Sequence, residues 1–168
     1  GYPGGPKIEQ AAIGGNEQSF PLPHPCFADS LDFSFSGVKT AALNVLNQAA
    51  QQAAAQEVER ELILSNTDFA ATVQETIVNI LADHLKEAQK MTQADTIALA
   101  GGVSANRRLR SKVQDLSDSL GIKLVLPEIK LCTDNAAMVA SAGYYLWQDN
   151  KQADWSLNAT ALWELTEL

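Results

Sequence analysis

From residue 68 onward the apolar positions fall into two alternating rhythms. Phe69, Val73, Ile77, Ile80, Leu81, Leu85 and Ala88 recur mostly in steps of three and four. That is the period of a helix burying one stripe, and it predicts a long helix from about Asp68 to Met91. Ser65, Asn66 and Thr67 supply capping side chains just before it. Thr96 to Ala100 is an unbroken apolar run, read as a buried strand with no wet face. Val103 to Leu120 reads as a helix closed by Gly121. Ile122 to Leu126 reads as a second buried strand stopped by Pro127, and Thr133 begins a helix running to about Trp147. Helix and strand in alternation imply parallel strands with right-handed crossovers, the α/β class.

The first third of the chain is patterned differently. Pro3, Pro6, Pro21, Pro23 and Pro25 crowd its start. Gly1 to Pro6 (GYPGGP) reads as a rigid turn, followed by a short helix around Ile8 to Ala12 that Gly14-Gly15-Asn16 terminates. Leu31 to Ser36 (LDFSFS) alternates apolar and polar residues, the period of a short strand. Gly37 breaks it, and Val38 to Ala55 has helical spacing, with the glutamines of residues 48 to 56 on its surface. About three strands are thus visible, fewer than an open sheet needs, so we expect strands from outside these residues to complete it. Missing strands would leave an exposed edge prone to pairing with another chain. The tail from Asn150 to Leu168 lacks periodicity and is expected to wrap the surface on Trp155 and Trp163.

Composition narrows the function. The 168 residues carry 46% hydrophobic and 19% charged side chains and a formal net charge of −8. They suffice for one globular core, and the charge argues against non-specific nucleic-acid binding by this chain alone. Two cysteines, Cys26 and Cys132, make no disulfide framework and fit a reducing compartment. No signal peptide or transmembrane run is present. The chain opens without Met, so we expect a piece of a longer polypeptide.

Four segments can carry chemistry. In Ala98 to Arg110 (ALAGGVSANRRLR) an apolar run ends in two glycines, and a helix opens behind a Ser and an Asn. Glycines permit close approach and a helix start favours negative charge, which suits a nucleotide; an ordinary strand-to-helix connection explains the pattern as well. Arg107, Arg108, Arg110 and Lys112 put cations where the macrodipole prefers acids, although Lys112 can pair with Asp115 on a solvated face. In Leu131 to Met138 (LCTDNAAM), Asp134 either ligates a metal or caps the helix. Asp32 to Thr40 (DFSFSGVKT) brings Lys39 behind a strand-to-helix turn and can contact phosphate, but lacks the full phosphate-loop pattern. The opening turn offers Gly4 and Gly5 for close backbone approach. His24 and His84 belong to no ligand-spaced cluster, and no Ser–His–Asp or Cys–His arrangement is suggested.

Taken in order, GYPGGP, DFSFSGVKTA, AGGVSANRRLR and CTDNAAM closely resemble the TsaD family, also called Gcp or YgjD. The tail with Ser156 to Ala159 and Trp163 is similar too, so the resemblance covers essentially all residues from 1 to 168. It implies the C-terminal portion of an actin/Hsp70/hexokinase-type (ASKHA, ribonuclease H-like) fold, with residues 150–168 as a surface tail. The implied activity is transfer of threonylcarbamoyl from threonylcarbamoyl-AMP to N6 of adenosine 37, in tRNAs that read codons starting with A, forming t6A. The implied partners are tRNA and TsaB-like and TsaE-like proteins, with a TsaC-like enzyme supplying the substrate, in the cytoplasm and without a membrane. By motif, the resemblance assigns Gly5, Gly101, Gly102 and Asn106 to the nucleotide and Asp134 to one iron or zinc ion. The family's two histidine ligands form a HxxxH pair that this chain lacks, together with the N-terminal lobe and the first strands of this lobe. These residues alone are therefore expected to be inactive. Two other readings are a non-catalytic paralogue that binds partners and the older O-sialoglycoprotein endopeptidase assignment, the last disfavoured because no HExxH motif occurs.

Overall fold

In a computed structural model, residues 3–25 and 30–159 are described. The chain divides into two compact units, Gly1–Cys132 and Thr133–Leu168.

The first unit is organised around one helix. The helices are α1 (Gly4–Ala11), α2 (Ser36–Gln56), α3 (Arg60–Ile63), α4 (Asn66–Thr92) and α5 (Arg107–Leu120), with strands β1 (Thr96–Ala98) and β2 (Lys123–Val125). The expected Asp68–Met91 helix is α4, and its cap is Ser65, whose hydroxyl oxygen accepts from the Asp68 amide at 3.2 Å. Such a cap stabilises a helix by ~1 kcal/mol. Gln93, in the left-handed conformation, ends it.

Beyond the stripe at Phe69–Ala88, α4 carries a second one: Ala71, Glu75, Val78 and Ala82 are all buried. Val78 packs with Ile97 of β1 and with Leu109 and Val113 of α5 to form the main core, flanked by Leu81, Leu85, Leu116 and Leu124. Val113 and Ile80 are fully buried, each stabilising by ~2 kcal/mol relative to exposure. A smaller contact joins Ala12, after α1, to Ala70 and Ala71. Gly15 makes that contact possible: a Cβ there would stand 2.5 Å from the Thr67 carbonyl oxygen and 2.8 Å from the Ala71 Cβ. Asn16 fastens the same loop, its amide donating to the Asp68 carboxylate at 2.7 Å while its carbonyl accepts from the Thr72 hydroxyl at 3.1 Å.

The mixed helix and parallel-strand architecture is that of an α/β protein. β1 pairs with β2 in parallel, Ile97 opposite Leu124, and among the described residues these form a two-stranded sheet. Several expectations need correction. Leu31–Ser36 is no strand. It finds no strand edge, and its alternation instead puts Phe33 and Phe35 on one side, where their rings stack at 5.6 Å. The strands at 96–100 and 122–126 are shorter and wetter than expected. Only Ile97 of β1 is buried, and Val125 is exposed, because helices cover one face of a pair that has no further strands beside it among the described residues. Gly4 to Pro6 form the first turn of α1 rather than a rigid turn; proline is at ease there because its missing N–H is not needed. Helix α3, absent from the sequence reading, follows α2 after Glu57 takes a left-handed φ of 55°.

The second unit holds α6 (Ala136–Gln148), entered after residues 133–135 and capped by Asn135, whose side chain accepts from the Met138 amide at 3.0 Å. Trp155 is fully exposed. Trp163 lies outside the described residues.

Candidate functional site

The glycine segment is built as a short staple between β1 and α5. The chain leaves β1, turns at Gly101, winds one 3-10 turn over Gly102–Ala105 and enters α5 at Asn106. The single helix expected from Val103 is therefore two pieces, broken where Asn106 takes extended backbone. Gly101 has φ 79° and ψ 171°, a region open essentially to glycine alone. Its carbonyl accepts from both the amide and the hydroxyl of buried Ser104, at 3.0 and 2.6 Å. Gly101 and Gly102 are exposed, and the amides of Gly102 and Val103, which open the turn, have no role inside it.

Asn106 does two structural jobs. Its side-chain oxygen caps α5 by accepting from the Leu109 amide at 2.9 Å, and its NH2 donates to Gln74 Oε1 of α4 at 2.9 Å. An Asn side chain has two donors and two acceptor lone pairs, so one of each remains for a ligand. Glu9 of α1 also serves this helix start, its carboxylate accepting from the Arg107 amide at 2.8 Å. The N-terminus of α5 thus already holds a protein carboxylate, and an added anion would rely on the glycine-turn amides instead.

The basic run is largely committed. Arg108 makes a two-pronged contact with Glu75, Nε to Oε2 at 2.6 Å and the second nitrogen to Oε1 at 2.9 Å, and reaches Glu17 at 3.4 Å. Lys112 donates to the same Glu75 carboxylate at 2.9 Å rather than pairing with Asp115, the alternative that the sequence spacing allows. The carboxylate across the helix interface is fixed by burial, whereas Asp115 is solvated and exposed. Burial pushes the Glu75 carboxyl up, but the hydrogen bonds and charges of Arg108 and Lys112 outweigh it and hold the group below the usual carboxylate range. Arg110 spans the turn from the other side, donating to the carbonyls of Ser104 at 2.6 Å and Pro127 at 2.7 Å and lying 3.2 Å from Cys132 Sγ. Of the cations that break the helix-dipole rule, Arg108, Arg110 and Lys112 brace the turn through their side chains, whereas Arg107 is exposed.

Between α1 and α5 lies a depression of about 570 Å³ whose walls include Pro6, Glu9, Gln74, Arg107 and Arg108. That size suits a small-molecule site. It brings the start of α1, which carries exposed Gly5, to the side of α5 that Asn106 opens. Sequence reasoning missed Glu9, Gln74 and Glu75. Glu75 had a signal: it is the one acid in a stripe spaced 71, 75, 78, 82 whose other members are apolar.

The remaining candidates are Asp134, His24, His84 and Lys39. Asp134, in the second unit, is exposed. Asn135 takes the capping role, which leaves the Asp134 carboxylate available as a ligand. His24 faces Asp83 at 3.1 Å. His84 is buried, with Nδ1 2.8 Å from the Ile80 carbonyl and Nε2 3.1 Å from that of Asp32. Among the described residues no three His, Cys, Asp or Glu side chains gather as a metal site, so Asp134 would supply a single ligand. Lys39 lies exposed in the first turn of α2. Among the described residues no helix is long and apolar enough to cross a membrane.

Residues 1–141 match the family model described as TsaD, tRNA N6-adenosine threonylcarbamoyltransferase. A protein of that name from Desulfitobacterium hafniense is 44% identical over 160 residues, covering 95% of this chain and 45% of the relative. Namesakes from Thermosipho africanus and Clostridium botulinum are 41% and 39% identical, the latter covering 99% of this chain and 47% of its own length. The chain spans about half the length of these curated relatives and corresponds to their C-terminal part. With four motifs in order and a family match over 141 of its 168 residues, the chain belongs to the TsaD family.

Proposed function

We propose that this chain is the C-terminal part of an ASKHA-type transferase that moves threonylcarbamoyl from threonylcarbamoyl-AMP to N6 of adenosine 37 in tRNA, acting in the cytoplasm with TsaB-like and TsaE-like partners. The observation that carries the reading is the braced glycine turn. A strand, a glycine-only bend and an Asn with one donor and one acceptor to spare follow one another here, and Gln74, the partner of Asn106, lines the depression beside α1. The adenylate would lie at this turn, against Gly101 and Gly102, with Asn106 hydrogen-bonding to it and Gly5 allowing close approach. Gln74 and Glu75 act as positioning residues by holding Asn106 and α5 in register. Exposed amides aimed at the leaving phosphate would ease its charge without having to reorganise. Asp134 would be one ligand of an iron or zinc ion whose other ligands come from residues outside this chain. Such a metal, when bound, supplies Lewis acidity toward a carbonyl oxygen.

The test is a chimera in which this chain replaces the matching part of the D. hafniense relative in one polypeptide. Incubated with tRNA, threonylcarbamoyl-AMP and the partner proteins, it should form t6A, read by mass spectrometry of tRNA nucleosides. A folded chimera that makes none, beside an unmodified relative that does, would overturn the reading.

A further inference from the structure

His84 is 7% exposed and takes no part in the glycine turn or its bracing. Both of its ring nitrogens meet backbone carbonyls, Nδ1 that of Ile80 at 2.8 Å and Nε2 that of Asp32 at 3.1 Å. A carbonyl oxygen only accepts, and a neutral imidazole has one donor and one acceptor. Two hydrogen bonds therefore need a hydrogen on each nitrogen, which makes the ring an imidazolium ion. A buried cation must be compensated. Here two carbonyl dipoles do so, together with the Phe33 ring, whose centroid lies 4.5 Å away with the planes 31° apart.

The two bonds hold different things. Ile80 is one turn back on α4, so the bond at Nδ1 is local and fixes the ring. Asp32 is 52 residues away, in the stretch 30–35 that leads into α2. Among the described residues, the other hydrogen bonds of that stretch stay within it or go to the first turn of α2. The Asp32 amide donates to the Ser30 hydroxyl, and the Phe35 carbonyl accepts from the Lys39 amide. Helix α2 also starts without a side-chain cap. His84 is thus the polar tether of the start of α2. The tethered stretch carries Phe33 and Phe35, which line an apolar cleft of about 690 Å³ together with Leu46 of α2 and Leu81 of α4.

We propose that His84 is a proton-operated latch: its imidazolium form holds residues 32–35 and the start of α2 against α4, and its neutral form releases them. When the ring gives its proton to solvent, one nitrogen becomes an acceptor. Nδ1 keeps its hydrogen, because the Ile80 carbonyl belongs to the same helix and cannot retreat. The lone pair then falls on Nε2 and faces the Asp32 oxygen, acceptor against acceptor, and the attraction of the Phe33 ring for the cation goes with the charge. Closing the latch takes up a proton, so acid favours the closed form and rising pH opens it. The neighbouring charges are engaged elsewhere or solvated. Asp83 of α4 faces His24 at 3.1 Å, and Glu87 pairs with Lys90. The side chains of Asp32, Lys86 and Lys39 belong to exposed residues. Among the described residues none of these side chains forms a hydrogen bond or ion pair with the His84 ring.

The test is NMR on the full 168-residue chain at about pH 5 and about pH 8, the range across which histidine changes charge. At the lower pH both His84 ring nitrogens should carry hydrogen, and a nuclear Overhauser contact should join the His84 and Phe33 rings. At the higher pH Nε2 should lose its hydrogen and the ring contact should fade. Exchange of the Lys39 amide, corrected for its intrinsic pH dependence, should speed up by about tenfold or more, the worth of one charge-assisted bond. His84→Gln cannot titrate and should exchange Lys39 equally at both pH values, whereas His24→Asn should keep the wild-type response. Three results would overturn the proposal. One is a neutral His84 ring at about pH 5 with the Phe33 contact present. Another is a wild-type Lys39 amide with the same corrected rate at both pH values. The third is a response that survives His84→Gln or disappears in His24→Asn. The ring-nitrogen measurement needs no substitution, so it decides whether or not the variants fold.

Discussion

Glu75→Gln is the sharpest test of how the glycine turn is held. The substitution keeps the shape of the side chain and removes the charge that accepts from Arg108 at 2.6 and 2.9 Å and from Lys112 at 2.9 Å. Breaking a fully buried pair costs about 3–5 kcal/mol. Here Glu75 is 11% exposed but Arg108 and Lys112 are 31% and 33% exposed, so water and Glu17 recover part of the loss. Discounting for that screening leaves about 2 kcal/mol, or roughly 4–8 °C in melting temperature for a chain of this size. Thermal melts by circular dichroism at pH 7 would read it, with Arg108→Gln and the double variant completing a cycle to isolate the pair. A loss within about 1 °C of wild type would show that the pair is worth no more than a surface contact, and would refute the bracing argument. The acid limb gives a second reading. The folded-state carboxyl lies below its unfolded value, so its contribution is complete above the unfolded value and disappears as pH falls through the depressed folded value. Wild-type stability should therefore drop more steeply than that of Glu75→Gln below about pH 4.

Other outcomes follow from the same geometry. Gly101→Ala forces a side chain into a glycine-only conformation and should destabilise by about 1–3 kcal/mol in denaturant unfolding; an unchanged midpoint would show that the turn relaxes freely. Gly15→Ala drives a Cβ to 2.5 Å from the Thr67 oxygen and should loosen α1 from α4 at a cost of about 1–3 kcal/mol, visible as faster hydrogen exchange at Asn16. Asn106→Ala should lose about 1 kcal/mol of cap and, in the chimera, weaken adenylate binding beyond what Asn106→Asp does; equal binding by Ala and wild type would remove Asn106 from the site. Asp134→Ala should lower the metal content of the chimera by elemental analysis without shifting its melting temperature, since Asn135 and not Asp134 caps α6.

The local pattern carried much of this. The spacing of Phe69 to Ala88 and the Ser65 cap located α4 within two residues at its N-terminus and one at its C-terminus, because helix period and capping are decided by near neighbours. Gly121 and the two short apolar runs likewise marked α5 and the strands, and the order of motifs marked the family. Tertiary structure decided the rest, because it depends on partners far along the chain. Phe33 and Phe35 alternate as a strand would, yet no strand edge meets them, so they stack. Arg108 and Lys112 stand where a ligand contact would, yet both are held by Glu75, 33 residues before Arg108. Glu9 reaches the start of α5 from 98 residues away, and only that closure puts a carboxylate where an anion had been expected. Sequence by itself determined which residues bend, cap and alternate; the folded chain determined which charges were already neutralised, since neutralisation is a matter of distance in space.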